Sequence, residues 1–232
     1  MSYDDPLIEV TLSAPVDQVW AHLRDPALIR RWFGWDADGL DAEIAFIFGG
    51  PPAEALDQMP PGAGFEVDEV RHTIEWRYGG DTVDRFELRA DGEDRAVLRV
   101  TRTIPAEAWD GVYDDLAEGW IAFVQQLRFA LERHPGEDRR TVFVMSPRSV
   151  EGADEALTSI TAGGEPWYRT DHQVGVVDAD GHLRLVTRVR DGASLTITTH
   201  GLDAVAVADL ESHWRGWWAD HIGPAEEAGH HH

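Results

Sequence analysis

Four polar residues on predicted strands have the side-chain types that acid–base chemistry requires. Alternation of side chains along a strand places Glu69, His72, Asp84 and Arg102 on or near the inward face. A buried His–Asp or Arg–Glu pair is able to move a proton to or from a bound molecule, because burial and charged neighbours shift pKa values. Alternatively, these side chains lie at strand ends and reach solvent, and the sequence leaves both interpretations open.

Aromatic and large apolar residues recur at the same strand phase and in the segments between the strands. They predict a pocket for a flat or greasy molecule, in which a few polar groups orient the ligand. The predicted ligand-binding residues are Trp32, Phe33, Trp35, Phe46, Phe48, Ile74, Trp76, Tyr78, Phe86, Trp120 and Phe123, with His72, Asp84 and Arg102 as polar pocket groups. The alternative interpretation is that the rings only fill the core.

The residue types that are missing exclude several kinds of site. The chain has no cysteine, which excludes disulfides, thiolate metal sites and a cysteine nucleophile. His213 and His221 lie two turns apart on a predicted helix, without a further ligand at four-residue spacing to complete a zinc site. No phosphate-binding or dinucleotide-binding glycine pattern is present. The sequence therefore predicts no metal, no cofactor and no identifiable catalytic residue.

The charge balance restricts the partners. The 232 residues include 43 acidic and 20 basic side chains, and the formal net charge is -23. Nucleic acid and anionic membrane surfaces would repel such a protein. No run approaches the eighteen or so apolar residues of a membrane span, and the N-terminus is acidic, so we expect a cytoplasmic protein without a signal peptide.

The order of predicted elements explains what positions these residues. A first strand is followed by two short helices, a series of antiparallel strands that includes "EIAFIF", and a long helix within "DLAEGWIAFVQQLRFALE". The apolar positions of that helix run along one face through Leu116, Trp120, Phe123, Val124, Leu127 and Leu131. A sheet with one apolar face needs a cover, so we expect the sheet to curl around this helix.

After Pro135 the pattern restarts in shorter form. The segment "VGVVDADGHLRLVTRV" followed by a helix with Trp214 resembles "FELRADGEDRAVLRVTRT" followed by the helix with Trp120. We interpret this as a partial repeat. The expected division is a domain at residues 1–135, a smaller α+β unit at 136–226, and a tail at 227–232 that resembles part of a purification tag.

Four segments together resemble the SRPBCC superfamily. They are "IEVTLSAPVDQVWAHLRDPALIRRWF", "VDEVRHTIEWRY", "TVDRFELRADGEDRAVLRVTRT" and "EGWIAFVQQLRFALE". The branch that they resemble is the AHSA type, named for the C-terminal domain of the heat-shock-protein-ninety ATPase activator. The residues that carry this resemblance are Ala14-Pro15, Val19-Trp20, Trp32-Phe33, Trp76 and Gly119-Trp120. It covers roughly residues 7 to 134.

The resemblance implies an α+β helix-grip fold, in which a curved antiparallel sheet surrounds a long C-terminal helix and leaves a START-like hydrophobic pocket. It leaves function open, since one fold hosts many activities. We expect binding of a small hydrophobic or aromatic molecule without catalysis. The alternatives are a polyketide cyclase/aromatase-like enzyme, which needs an acid–base pair in the pocket, and a co-chaperone-like interaction module with a protein partner. A homodimer is also left open.

Overall fold

The computed structural model describes residues 6–103, 115–146, 153–189 and 192–223. These residues form two compact units. The first contains the described residues of Met1–Phe33, Gly39–Val112 and Leu127–Pro135, and the second those of Gly34–Asp38, Tyr113–Gln126 and Gly136–His232. The division into domains 1–135 and 136–226 stays a prediction, and the predicted tail at 227–232 lies outside the described residues.

A five-stranded antiparallel sheet forms the body of the first unit. Its strands are β1 (Ile8–Leu12), β2 (Gly64–Asp68), β3 (Thr73–Arg77), β4 (Val83–Ala90) and β5 (Ala96–Thr103). They lie in the order β1-β5-β4-β3-β2, so β2 to β5 form a meander and β1 pairs with the last strand. The even-numbered residues of β3 and of β4 up to Leu88 are buried while their neighbours are more accessible, which is the alternation expected of a sheet covered on one face.

Helices precede and follow the meander along the chain. They are α1 (Val16–Arg24), α2 (Pro26–Ile29), α3 (Leu40–Gly49), α4 (Ala53–Leu56) and, after β5, α5 (Asp115–Arg133). The side chain of Asp25 caps α2 by accepting a hydrogen bond from the amide of Ala27, at 2.9 Å. The segment before β2 is therefore richer in helix than the sequence pattern indicates.

The predicted strand "EIAFIF" is wrong, because these residues belong to α3. Gly39 and Gly50 flank the helix with φ angles of 89° and 88°, which glycine adopts without strain. The helix is apolar on most sides, so its sequence lacks a polar face that would identify a helix. Phe46 and Phe48 consequently do not share a face: Phe48 is buried, whereas Phe46 is 43% exposed.

The second unit repeats the strand order of the first. Its elements are β6 (Arg139–Ser146), α6 (Ala153–Ile160), β7 (Glu165–Arg169), β8 (Gln173–Val177), β9 (Leu183–Val189), β10 (Gly192–His200) and α7 (Ala204–His221). The sheet order is β6-β10-β9-β8-β7, with every neighbouring pair antiparallel. The expected repeat is therefore present in the strand topology of both units. The predicted α+β helix-grip class is confirmed.

An apolar core lies between the second sheet and α7. Val144, Leu195 and Ile197 on the strands pack with Trp214 and Trp218 on the helix. The indole N–H of Trp218 donates to the Ser146 hydroxyl at 2.8 Å, which satisfies its buried polar atom. No helix in the described part of the chain is long and apolar enough to span a membrane.

The long helix α5 is buried on more sides than its sequence predicts. Trp120 is buried, as the periodicity predicts, but Gln125 and Gln126 on adjoining faces are buried as well. Leu116, at the predicted apolar face, is instead 44% exposed. The residues of α5 up to Gln126 belong to the second unit and those from Leu127 to the first, so no single apolar stripe describes the helix.

Replacing Trp120 by alanine should lower the free energy of unfolding by about 3–5 kcal/mol, because its indole is only 5% exposed. Leu116→Ala on the same helix is the matched control and should cost much less. Chemical denaturation of both variants measures the difference. Equal denaturation midpoints for the two would contradict the placement of Trp120 in a core.

Candidate functional site

Four aromatic side chains form a connected cluster in the first unit, which we call the aromatic row: Phe46, Phe65, Trp76 and Tyr78. The ring of Trp76 stacks on Phe46, with centroids 5.1 Å apart, and on Tyr78, with centroids 5.9 Å apart. Phe65 lies directly opposite Trp76 in the β2–β3 pairing, and their rings are 5.0 Å apart. The row thus runs from an exposed ring on α3 to partly buried rings on the sheet.

The helix α3 is fixed over the row by hydrogen bonds to its backbone. The buried indole N–H of Trp76 donates to the carbonyl of Ile47 at 2.7 Å. The guanidinium of Arg24 donates to the next carbonyl, that of Phe48. Both acceptors lie in the last turn of α3, whose carbonyl groups have no partner within the helix. This arrangement holds Phe46 against the face of Trp76.

A buried carboxylate lies at the other end of the aromatic row. The hydroxyl of Tyr78 donates to Asp84 Oδ2 at 2.9 Å, and Arg102 Nη1 lies 3.3 Å from the same oxygen. We call these three residues the polar triad. Strand register places Trp76 opposite Asp84 and Asp84 opposite Arg102. Because Asp84 is only 1% exposed, its charge requires the paired guanidinium and the phenolic donor.

The environment of Tyr78 keeps its hydroxyl protonated. Burial raises the pKa of Tyr78 well above its ordinary value, and the neighbouring Asp84 charge raises it further. At neutral pH the phenol is therefore a hydrogen-bond donor next to a carboxylate. The triad can orient a polar group at the end of an apolar ligand, or it can take part in proton transfer.

The other predicted pocket residues of the first unit lie in its core. Trp32, Phe33 and Phe48 form an edge-to-face cluster with centroids 5.1 to 5.7 Å apart. Ile74 and Phe86 form a cross-strand pair two residues along from the pair of Trp76 and Asp84, and both are buried. These five residues support the aromatic row by packing.

The polar pocket role of His72 stays a prediction, and the structure places this residue just outside the strands. His72 lies in the β2–β3 turn with a φ of 53°, where its ring is 5.0 Å from that of Trp20. The turn interrupts the strand alternation on which its predicted orientation depends. Glu69 is likewise engaged at this turn, where it accepts from the indole N–H of Trp20 at 2.6 Å. Asp84 and Arg102, by contrast, are directly paired on adjacent strands, so the observed pair is Asp–Arg and not the His–Asp or Arg–Glu pair considered from the sequence.

Three predicted pocket residues belong to the second unit. The ring of Trp35 lies 5.2 Å from Phe123 and 4.4 Å from Phe143, and its indole N–H donates to Thr196 at 3.3 Å. Trp120 and Phe123 are edge-to-face, with centroids 6.3 Å apart. A site assembled from one unit therefore contains only some of the predicted residues.

Sequence reasoning missed Phe65 and the contribution of α3. Phe65 was recoverable, since aligning the predicted hairpin of "GFEVDEV" and "HTIEWRY" brings an aromatic residue opposite Trp76. The backbone acceptor at Ile47 had no sequence signal, because any residue supplies a carbonyl. Its position depends on α3 being a helix.

A concavity lies at the edge of the second sheet. It has a volume of about 310 Å³ and is lined by residues 161, 164, 166–169 and 174–176. Pro166 and a register shift before Tyr168 interrupt the pairing of this edge strand with β8. Such irregularities protect an exposed sheet edge from pairing with another chain. Among the described residues, no group of three His, Asp or Glu side chains is placed to hold a metal ion.

Comparison with known proteins finds similar solved structures only. No protein-family model matches the chain, and no curated protein matches it. Among solved structures, DynU16 from the dynemicin biosynthetic locus is 17% identical, with 91% of this chain and 93% of that chain covered, at a TM-score of 0.37. The di-domain ARO/CYC protein BexL of the BE-7585A pathway is 11% identical, with 93% and 97% covered, at a TM-score of 0.34.

An AHSA1-like protein from Rhizobium etli is 25% identical, with 56% of this chain and 82% of that chain covered, at a TM-score of 0.36. The similar structures thus include both AHSA1-like and ARO/CYC proteins. At TM-scores below 0.5, these likenesses say nothing about which molecule the present chain binds.

The raised pKa of Tyr78 predicts a pH dependence of stability. Because the folded state holds this proton more tightly than the unfolded chain, the associated stability is complete below about pH 10 and decreases as pH rises above it. Denaturation at several pH values between 8 and 11.5 measures the slope of the free energy of unfolding against pH. This slope should be less steep for Tyr78→Phe than for the unsubstituted protein, and the difference should correspond to at most one proton. Identical slopes would contradict the hydrogen-bonded, buried phenol.

Proposed function

We propose that the first unit binds a small, flat, hydrophobic molecule against the aromatic row, with the polar end of the ligand at the polar triad. The main support for this proposal is that the aromatic row and the polar triad are in direct contact. A half-exposed ring, a buried indole and a phenol lie in contact, and the phenol is bonded to a buried carboxylate.

The geometry of the rings favours a flat ligand. Trp76 and Tyr78 are inclined by only 16°, and Trp76 and Phe46 by 30°, so their faces are nearly parallel. A flat aromatic molecule extends such a series of stacked rings in an offset arrangement. Phe46 is the accessible member, which makes its side of the row the expected point of entry.

The chemistry of the triad favours a neutral ligand with a hydroxyl or carbonyl group. Tyr78 and Arg102 are donors, and the phenolic oxygen of Tyr78 also accepts a hydrogen bond. A carboxylate on the ligand would approach Asp84 within a chain of net charge -23, which opposes anionic ligands. A polar group that matches the triad therefore orients the ligand without adding a charge.

Binding of the neutral probe N-phenyl-1-naphthylamine should be weakened in Phe46→Ala. At roughly 0.3–0.4 kcal/mol for each of its ~17 non-hydrogen atoms, the expected dissociation constant lies between about ten and a few hundred micromolar. Loss of one aromatic contact, worth about 0.5–1.5 kcal/mol, should weaken binding about 2- to 12-fold. Titrating the protein into a fixed amount of probe and following its fluorescence measures this change.

The matched control is Val205→Ala, which truncates an exposed apolar residue of the second unit. It should leave the dissociation constant unchanged. No saturable binding of the probe to the unsubstituted protein, or equal weakening in the two variants, would refute the aromatic row as the binding site.

The polar triad should discriminate 2-naphthol from 2-methylnaphthalene, which has the same number of non-hydrogen atoms. Tyr78→Phe should weaken 2-naphthol binding about 2- to 12-fold, because one hydrogen bond contributes roughly 0.5–1.5 kcal/mol. The same substitution should hardly affect the hydrocarbon. Comparison of the four dissociation constants isolates the hydroxyl contact, and an equal loss for both ligands would contradict it.

A second candidate is a cyclase/aromatase-like enzyme, and the buried Asp84 next to the Tyr78 hydroxyl is the observation that favours it. Such a carboxylate is able to take a proton from carbon next to a carbonyl, while the phenol hydrogen-bonds the developing enolate oxygen. In heavy water, the α-hydrogens of 2-tetralone would then exchange with solvent deuterium faster in the presence of the unsubstituted protein than in the presence of the Asp84→Asn variant. Exchange no faster than in buffer would leave binding as the function.

A further inference from the structure

The two units can be compared residue by residue through their strand registers. Tyr78 N–H donates to the Thr82 carbonyl at 3.0 Å in the β3–β4 turn, and Asp178 N–H donates to the His182 carbonyl at 2.9 Å in the β8–β9 turn. The backbone bond from Leu88 to His72 likewise has a counterpart from Arg188 to His172. The β3–β4 and β8–β9 hairpins therefore have the same length and register, and their positions correspond one to one.

The site of the first unit has no counterpart of the same chemistry in the second. Trp76 pairs with Asp84, and the corresponding pair is Val176 with Arg184. Asp84 pairs with Arg102, whereas Arg184 pairs with Ile197. Tyr78 corresponds to Asp178 by the turn hydrogen bonds. The carboxylate, its guanidinium and the phenol are thus replaced by a guanidinium, an isoleucine and a carboxylate.

The helix that covers the aromatic row also has no counterpart. In the first unit residues 25–63 lie between α1 and β2, and they contain α3 with Phe46 and the Ile47 carbonyl. In the second unit only residues 161–164 lie between α6 and β7. The second unit therefore has no equivalent of the Phe46 ring or of the Ile47 carbonyl that accepts from Trp76.

The side chain of Arg184 occupies this place in the second unit. Its guanidinium carbon lies 4.8 Å from the ring centroid of Trp214 on α7, and Nη2 lies 2.6 Å from Asp178 Oδ2. Nη1 also donates to the carbonyl of Ile160 on α6, at 3.4 Å. The side chain therefore links the sheet to both helices that cover it.

We propose that the chain binds one flat hydrophobic molecule, in the first unit, and that Arg184 closes the corresponding place in the second unit. The inference rests on the proposed function of the aromatic row. In this proposal the second unit has a structural role. Arg184 occupies the space that corresponds to the ligand site of the first unit.

Equilibrium dialysis of the full chain against N-phenyl-1-naphthylamine counts the sites. The expected result is one probe per chain at saturation, with weaker binding at that site in Phe46→Ala and no weakening at that site in Arg184→Ala. Two probes per chain, with one unaffected by Phe46→Ala, would overturn the inference while leaving the proposed function in place. No bound probe would refute the proposed function, and the stability of Arg184 variants then tests the closed second unit alone.

Thermal unfolding provides that measurement. Arg188→Ala is the matched control, since Arg188 is on the same strand and pairs with Asp154 at the surface. Arg184→Ala should lower Tm by at least about 3 °C more than the control, because the truncation leaves a space over Trp214 and an unpaired Asp178. Equal Tm values for the two variants would show that Arg184 does not fill the second unit and would overturn the inference.

Discussion

The buried carboxylate of Asp84 is the constraint on which the first unit depends. A carboxylate removed from water is costly unless it is paired and hydrogen-bonded, so Tyr78 and Arg102 must lie where they do. This fixes the register of three neighbouring strands. A slip of one residue in β4 would turn Arg85 toward the core and separate it from Glu75 on the outer face of β3. The same register sets Trp76 beside Asp84, and Trp76 in turn holds α3.

The two units show that a shared fold does not carry a shared site. Their strand orders are the same, yet the second unit lacks the helix that covers Trp76 and has Arg184 at the position of Asp84. Arg184 satisfies its charge with Asp178 and the face of Trp214. The two units therefore share a strand order but differ at the site, which agrees with the general separation of fold and function.

The sequence pattern correctly predicted features that depend only on the geometry of a single strand. Strand alternation identified Trp76, Asp84 and Arg102 as inward-facing, since the pleat alone sets that direction. It did not identify the turn that contains His72, and it failed at Phe46, where an apolar helix looks like a buried strand. Trp35 and Trp120 were predicted in the same pocket as Trp76, but they belong to the second unit. Which unit a residue joins depends on contacts between distant segments, such as Asp36 with Thr141, that no local pattern records.

The most direct test of the account is a crystal structure of the full chain with N-phenyl-1-naphthylamine bound. The account predicts electron density for the naphthyl ring against Phe46 and Trp76, with the ligand nitrogen directed toward Tyr78. Density between the second sheet and α7, next to Trp214, would contradict it. A fully occupied ligand elsewhere on the chain, with the aromatic row unchanged, would contradict it equally.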